Sequence, residues 1–495
     1  MKRAWVLPFV AALTAVSAWP ATVEAAPRRD RALEAALLAH ITTLASDEFQ
    51  GREPGTEGEA KTLRYIGKLW FDIGLVSGTN DPGNDWFAPV TLVAREPAVS
   101  VAQFRRRGHP VALPREVVLM LTSGKRSLVR GAPLYFVGKG EGAVPGRNDL
   151  AGRVAVMLDG GAPGSERQNA LLAGGALAVL TVLDGERSLE NVTARRQRSG
   201  YALASDAIGG DLEGFITSAG MDRLLTAAGQ SVALLEAESA QPGFLPRLLD
   251  LTADLEATTR ETTIRTHNVI GKLPGKHPEA GALVLMAHWD HFGICASPPA
   301  EHLICNGAID NASGIAALSE IARRLARGPM LDRDVYFVAT TAEELGLLGA
   351  AAFAENPPLP LGQIVAAFNL DTVALAPAGS PIAIVGKGMT PLDARIAQVA
   401  RAQKLRLVEG DGANAYVRRQ DGWALLQHDV PAVLVSSAYA DIPRVEAFMD
   451  SDYHRPGDRL KPGIELGGAA QDVLFHVALA RWFGDVKKVP APAPK

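Results

Sequence analysis

Apolar residues recur at helical spacing from Arg31 to Leu44 (Leu33, Ala36, Leu37, Ile41, Leu44), which predicts an amphipathic helix. Turn-forming residues over 46–56 break that pattern. A second helix is predicted over 57–71, with Gly74 as its C-terminal stop. Residues 86–93 have strand texture. Between roughly 100 and 255 the chain changes to short apolar runs separated by turns, at 117–121, 134–137, 154–158 and 178–182. From Thr263 to about Phe483, apolar runs alternate with helical patterns again. Two of these runs, 283–287 and 335–339, flank a helix face made by Ile315, Leu318, Ile321 and Leu325. That is a βαβ unit and implies a parallel strand pair. Further strands are predicted at 364–371, 382–385 and 432–435. The expected fold class is therefore α/β: a mixed, mostly parallel central sheet flanked by helices, with an inserted β-rich module.

At 495 residues the chain exceeds what one ordinary core organises. The texture divides it into a leader (1–25), a first part of the main unit (26–103), an insert (104–255), the rest of the main unit (256–486) and an unstructured Pro/Ala tail (487–495). Apolar content of 47% and charged content of 21% are those of a globular protein. A net charge of −4 without a basic block excludes nucleic acid as an expected partner. In the leader, Lys2 and Arg3 precede an apolar stretch that ends in small residues around Val23-Glu24-Ala25, the layout of a secretory signal peptide. An uncleaved anchor is the alternative, since the stretch approaches spanning length. Cleavage would leave no membrane span and an exported protein, periplasmic or secreted. In an exported chain the two cysteines, Cys295 and Cys305, read most simply as a disulfide. Their spacing lacks the Cys-x-x-Cys chelate of a metal site. The sequence does not speak to oligomeric state.

Candidate chemistry gathers where apolar runs stop. The run over 283–287 ends at His288-Trp289-Asp290-His291, and the run over 335–339 leads to Glu343-Glu344. Asp371 closes another, Asp310 sits in a turn before a helix, and His454 lies in a loop rich in Pro and Gly. Open α/β sheets bind ligands at the carboxyl ends of their strands. Two imidazoles and three carboxylates (His288, Asp310, Glu344, Asp371, His454) are a nitrogen and oxygen set that zinc accepts. Three massed carboxylates repel one another unless cations compensate them. One carboxylate shared between two ions, with one His and one further carboxylate on each, balances that charge. Two such ions about 3.5–4 Å apart polarise a carbonyl and generate hydroxide near neutral pH. Singly, each residue has an ordinary explanation: a packed histidine, a helix cap at Asp310, a solvated pair of glutamates. Two adjacent glutamates directly after a buried strand are costly without a task. One can bind metal while the other takes a proton.

These motifs resemble the co-catalytic di-zinc aminopeptidases of the bacterial leucyl aminopeptidase and aminopeptidase Y type. The superfamily also holds glutamate carboxypeptidases, glutaminyl cyclases and the non-enzymatic transferrin receptor ectodomain. The resemblance covers residues 44–74 and 263–460. It rests on the stretches 287–293 (AHWDHFG), 306–314 (NGAIDNASG), 343–349 (EELGLLG), 369–371 (NLD) and Tyr453-His454. The insert, with its 150–156 (LAGRVAV) and 173–176 (AGGA) stretches, looks like the protease-associated domain that many members carry. The resemblance implies two Zn2+ per chain, with Asp310 shared, His288 and Asp371 completing one site, and Glu344 and His454 the other. It further implies Glu343 as general base, Asp290 as the carboxylate behind His288, and Tyr453 as a hydrogen-bond donor to the tetrahedral oxyanion or a packing residue. His291 would be supporting or structural, and His302 a loop residue near the entrance.

One departure is Arg419-Gln420-Asp421 before Gly422-Trp423, where many relatives have Arg-Ser-Asp before an aromatic residue; side-chain preference is therefore not carried over. The expected activity is removal of N-terminal residues from peptides with a free amine. The alternatives are a carboxypeptidase or dipeptidase, which would need arginines such as Arg418, Arg419 or Arg444 turned inward, and a catalytically silent binding ectodomain. The silent reading is disfavoured because ligands and base are all present. A glutaminyl cyclase is disfavoured by the full two-metal set.

Overall fold

The computed structural model describes residues 29–139, 143–160, 165–185, 187–198, 200–206, 211–226 and 228–490. The leader expected at 1–25 lies outside these, as does the tail from residue 491. Among the described residues no helix is long and apolar enough to cross a membrane.

A 27-residue strand, Arg247–Leu273, ties the molecule together. Along most of its length it pairs antiparallel with Phe87–Arg106, from Thr252 opposite Arg105 to Val269 opposite Phe87. Its far end lies beside Asp334–Thr340, and its near end beside Arg126–Lys139. One sheet therefore runs through both halves. In the main unit, Ala282–His288 is parallel to Asp334–Thr340 on one side and to Ile364–Asn369 on the other, and Ile364–Asn369 is parallel to Ala432–Ser436. All seven residues of Ala282–His288 and of Asp334–Thr340 are buried. That burial explains why these strands read as unbroken apolar runs rather than alternating ones.

Helices cover the sheet. Arg31–Leu44 buries Leu33, Leu37, Ile41 and Leu44, four of the five residues its periodicity selects, while Ala36 is half-buried. Glu57–Ile73 ends at Gly74, whose φ of 97° lies in the left-handed region that glycine tolerates. Ser313–Ala326 is buried along most of its length and packs against Arg31–Leu44 and Gly467–Phe483.

The inserted segment has its own core, built on Leu134, Phe136, Val154, Val156, Leu180 and Val182. Its strands Arg126–Lys139, Val154–Leu158, Ala178–Leu183 and Leu212–Thr217 are parallel neighbours. Helices such as Ser165–Ala173 and Leu189–Arg198 run between them, so the segment holds helices as well as strands. In the tail, Val489 is buried and its carbonyl accepts a hydrogen bond from Arg333 Nη2 at 2.6 Å.

Candidate metal centre

The parallel strands of the main unit deliver their carboxyl ends to one place. His288 is the last residue of its strand and sits opposite Thr340 of the next. Glu343 and Glu344 follow Thr340 by one short turn. Asp371 comes two residues after its strand ends at Asn369. Asp310 lies in the turn Ala308–Ala312 that feeds Ser313–Ala326. His454 arrives from the loop after Ile442–Ser451.

The five residues read as ligands converge. His288 Nε2 lies 3.3 Å from Asp310 Oδ1 and 3.5 Å from Asp371 Oδ1. His454 Nε2 lies 3.4 Å from Asp310 Oδ2 and 2.9 Å from Glu344 Oε2. Asp310 thus turns one oxygen to each imidazole. Glu343 Oε2 is 3.9 Å from His288 Nε2, on the His288 and Asp371 side of the cluster. Potential ligand atoms of His288, Asp310 and Glu344 lie within 4.8 Å of one another, as do those of His288, Glu343 and Asp371.

The surroundings crowd buried carboxyl groups and imidazoles together. Burial pushes the Glu343 carboxyl well above its ordinary range. Burial likewise takes Asp290 to about 7, partly opposed by His288. Burial disfavours charge on His288, yet Glu343, Asp310 and Asp371 together hold its imidazole well above the usual value. Asp310 is also disfavoured as an anion by burial, but the adjoining imidazoles of His288 and His454 hold it well below the ordinary carboxylate range. Among the described residues no Lys or Arg forms an ion pair with Asp290, Asp310, Glu343, Glu344 or Asp371; their close partners are imidazoles.

A cation fits this arrangement. His288 Nε2, His454 Nε2 and Asp310 Oδ2 are buried without a hydrogen-bond partner, although each points into the cluster. Buried polar atoms left in that state are costly. Nitrogen and carboxylate donors aimed at a common space are the donor set of zinc.

Other residues take places the sequence did not specify. Asp290 accepts from the backbone amides of Glu343 (3.1 Å) and Glu344 (3.4 Å), fixing the turn that carries both glutamates. The nearest acceptor to His288 Nδ1 is the Asp290 carbonyl at 3.2 Å, with the Asp290 carboxylate at 3.7 Å. His291 is buried with Nδ1 2.5 Å from Glu344 Oε1, so it supports that carboxylate directly. Asp421, also buried, accepts from Thr340 Oγ1. The only sequence signal for His291 was its place three residues after His288; Asp421 had none beyond the altered Arg419-Gln420-Asp421 stretch. Tyr453 stacks on His454 with ring centroids 3.5 Å apart, and Arg419 Nη2 approaches its hydroxyl at 3.4 Å. Burial raises the Tyr453 phenol well above its usual value, so it remains a hydroxyl donor.

The disulfide expected between Cys295 and Cys305 is formed, with Cα atoms 5.7 Å apart. The Cys305 amide donates to Gly293, which fastens the loop directly after Phe292. His302 stays on the exposed part of this loop and meets Arg459, not the ligand cluster.

Residues 268–473 match the family model described as Peptidase family M28, in agreement with the family expected from the motifs. Aminopeptidase YwaD of Bacillus subtilis (strain 168) is 36% identical over 128 residues, which are 25% of this chain and 25% of that protein. The alkaline phosphatase isozyme conversion protein of Escherichia coli (strain K12) is 34% identical over 102 residues, 19% of this chain and 29% of that protein. Each alignment spans less than a third of the curated relative. An aminopeptidase from Aneurinibacillus sp. strain AM-1 has a similar structure, with a TM-score of 0.55 and 20% identity over 90% of this chain and 93% of that one. At that identity the likeness concerns the fold.

Proposed function

We propose that this chain, whose residues 268–473 form an M28 peptidase unit, is a zinc-dependent aminopeptidase that hydrolyses the first peptide bond of peptides with a free N-terminus. The observation that carries the proposal is the buried cluster of Asp310, Glu344, Asp371, His288 and His454, whose carboxylates have no Lys or Arg partner among the described residues. The names of the aminopeptidases it resembles support the same reading. In this reading His288 and Asp371 would hold one zinc ion, Glu344 and His454 would hold a second, and Asp310 would serve both. Bound there, zinc would supply Lewis acidity and an acidified water.

The chain's own residues do the rest. Glu343, whose carboxyl lies 3.9 Å from His288 Nε2, takes the proton of the attacking water and returns it to the leaving amine. Asp290 keeps Glu343 and Glu344 in register through their amides. Tyr453 donates its hydroxyl hydrogen bond to the oxyanion. The carboxylates of the cluster meet the substrate's free amine. The leader pattern of residues 2–25 supports export, periplasmic or secreted.

A second reading, carboxypeptidase or dipeptidase, has Arg419 in its favour, because that arginine does turn toward Tyr453 beside the cluster. A panel of aminoacyl-p-nitroanilides separates the two. Zinc-restorable release, lost in Glu343→Gln, is the expected outcome. Cleavage only of N-blocked peptides with a free carboxylate overturns the aminopeptidase reading in favour of the second. No hydrolysis of either class overturns both.

A further inference from the structure

The turn that carries Asp310 is gripped from two sides by buried side chains of opposite charge. On one side lies Arg52, which is 0% exposed. Its Nη1 donates to the carbonyls of Asn306 (2.5 Å) and Leu44 (2.8 Å), its Nη2 to Gly307 (2.9 Å) and its Nε to Trp289 (2.8 Å). One guanidinium therefore joins the end of the first helix, the His288–His291 stretch and the start of the Asp310 turn. On the other side lies Asp458, 1% exposed, whose carboxylate accepts from the amides of Ile309 and Asp310 at 2.9 Å each. Its own carbonyl accepts from Ala308 at 3.2 Å. The turn's carbonyls face the cation and its amides face the anion. There is little slack: a Cβ on Gly307 would stand 2.7 Å from Arg52 Nη2 and 2.1 Å from the Asp310 carbonyl oxygen.

A buried guanidinium spent on backbone carbonyls is costly unless several bonds compensate it. Burial lowers Arg52 to about 10, opposed by Asp458 and Asp310, so it stays charged at neutral pH. Lysine cannot replace this fork, because its donors radiate from one atom. We propose that Arg52 and Asp458 are positioning residues that lock the Asp310 turn, so that Oδ1 faces His288 and Oδ2 faces His454. Neither residue is assigned a contact with substrate. The proposal rests on the reading of Asp310 as a shared ligand.

The test uses the full mature chain as wild type, Asp458→Asn and Arg52→Lys. Hydrogen exchange at amides 308–310 is followed in the metal-free protein, and zinc affinity is measured by competition with a chromophoric chelator. In either variant the amides should exchange at least tenfold faster. Zinc should bind about 10- to 100-fold more weakly, the range for partners that orient metal ligands. With excess zinc, kcat should fall while KM stays within twofold. Faster exchange with unchanged zinc affinity would mean that the pair only stabilises the fold, and it would overturn the proposal. Unchanged exchange would overturn it too. If one variant does not fold, the other decides. If wild type binds no zinc, the functional reading fails, and the exchange arm alone decides whether the clamp exists.

Discussion

Asp159 in the inserted segment and Asp371 in the main unit occupy similar places: each lies just past the end of a buried parallel strand. Their surroundings differ in one respect. Asp159 has a side chain 1% exposed, but Arg187 holds its Oδ2 at 2.5 Å and the Gly160 amide holds its Oδ1 at 3.0 Å. Asp371 has Thr372 Oγ1 at 2.9 Å and the imidazole of His288 at 3.5 Å, and no arginine or lysine pair among the described residues. A buried carboxylate at a strand end is thus not by itself a site. It becomes one where the countercharge is left for something the chain does not encode.

The largest expected effects fall on the uncompensated side. Glu343→Gln should reduce kcat by about 10²- to 10⁴-fold with little change in fold, the range for a general base; steady-state kinetics with circular dichroism checks this. Chelation should abolish turnover reversibly, and retention of full activity after exhaustive chelation would break the contrast. On the compensated side the effect should be structural. Arg187→Met leaves Asp159 buried without its partner and should cost about 2 kcal/mol, below the usual range for buried pairs because the arginine is partly exposed. Thermal melts should register that loss while kcat stays unchanged.

Glu320 sharpens the comparison with a smaller effect. Burial alone would raise this carboxyl, but hydrogen bonds from His40, Arg323 and Arg324 bring it down to about 2. Its folded pKa lies below the ordinary 4.5, so its stabilisation is complete above pH 4.5 and is lost as pH falls toward 2. The stability difference between wild type and Glu320→Gln should therefore be full at pH 6 and shrink steadily below pH 4.5. A difference independent of pH would show that the charge is immaterial.

Much of this was legible in the chain. The helix Arg31–Leu44 buries the large apolar residues of its predicted face, and the strands that carry the candidate ligands announce themselves as apolar runs that stop at His288 or just before the glutamates. Ligand-type residues stand out because burial makes them expensive. Other features have no such signature. The middle of Arg247–Leu273 alternates buried Ala253, Leu255 and Ala257 with Asp254, Glu256 and Thr258, a half-solvated antiparallel pattern longer than any ordinary strand. Arg52 and Asp458 act through backbone carbonyls and amides 254 and 148 positions away, contacts that no local spacing encodes. His291 differs from a packed histidine only by the carboxylate that folding brings to it.

The most direct test of the central claim is the zinc content of the purified protein, measured by elemental analysis after dialysis against zinc-containing and then metal-free buffer. The account predicts two zinc ions per chain in wild type, with fewer retained when Asp310 is changed to Asn. A wild-type protein that retains none would contradict the assignment of the uncompensated cluster as a metal centre.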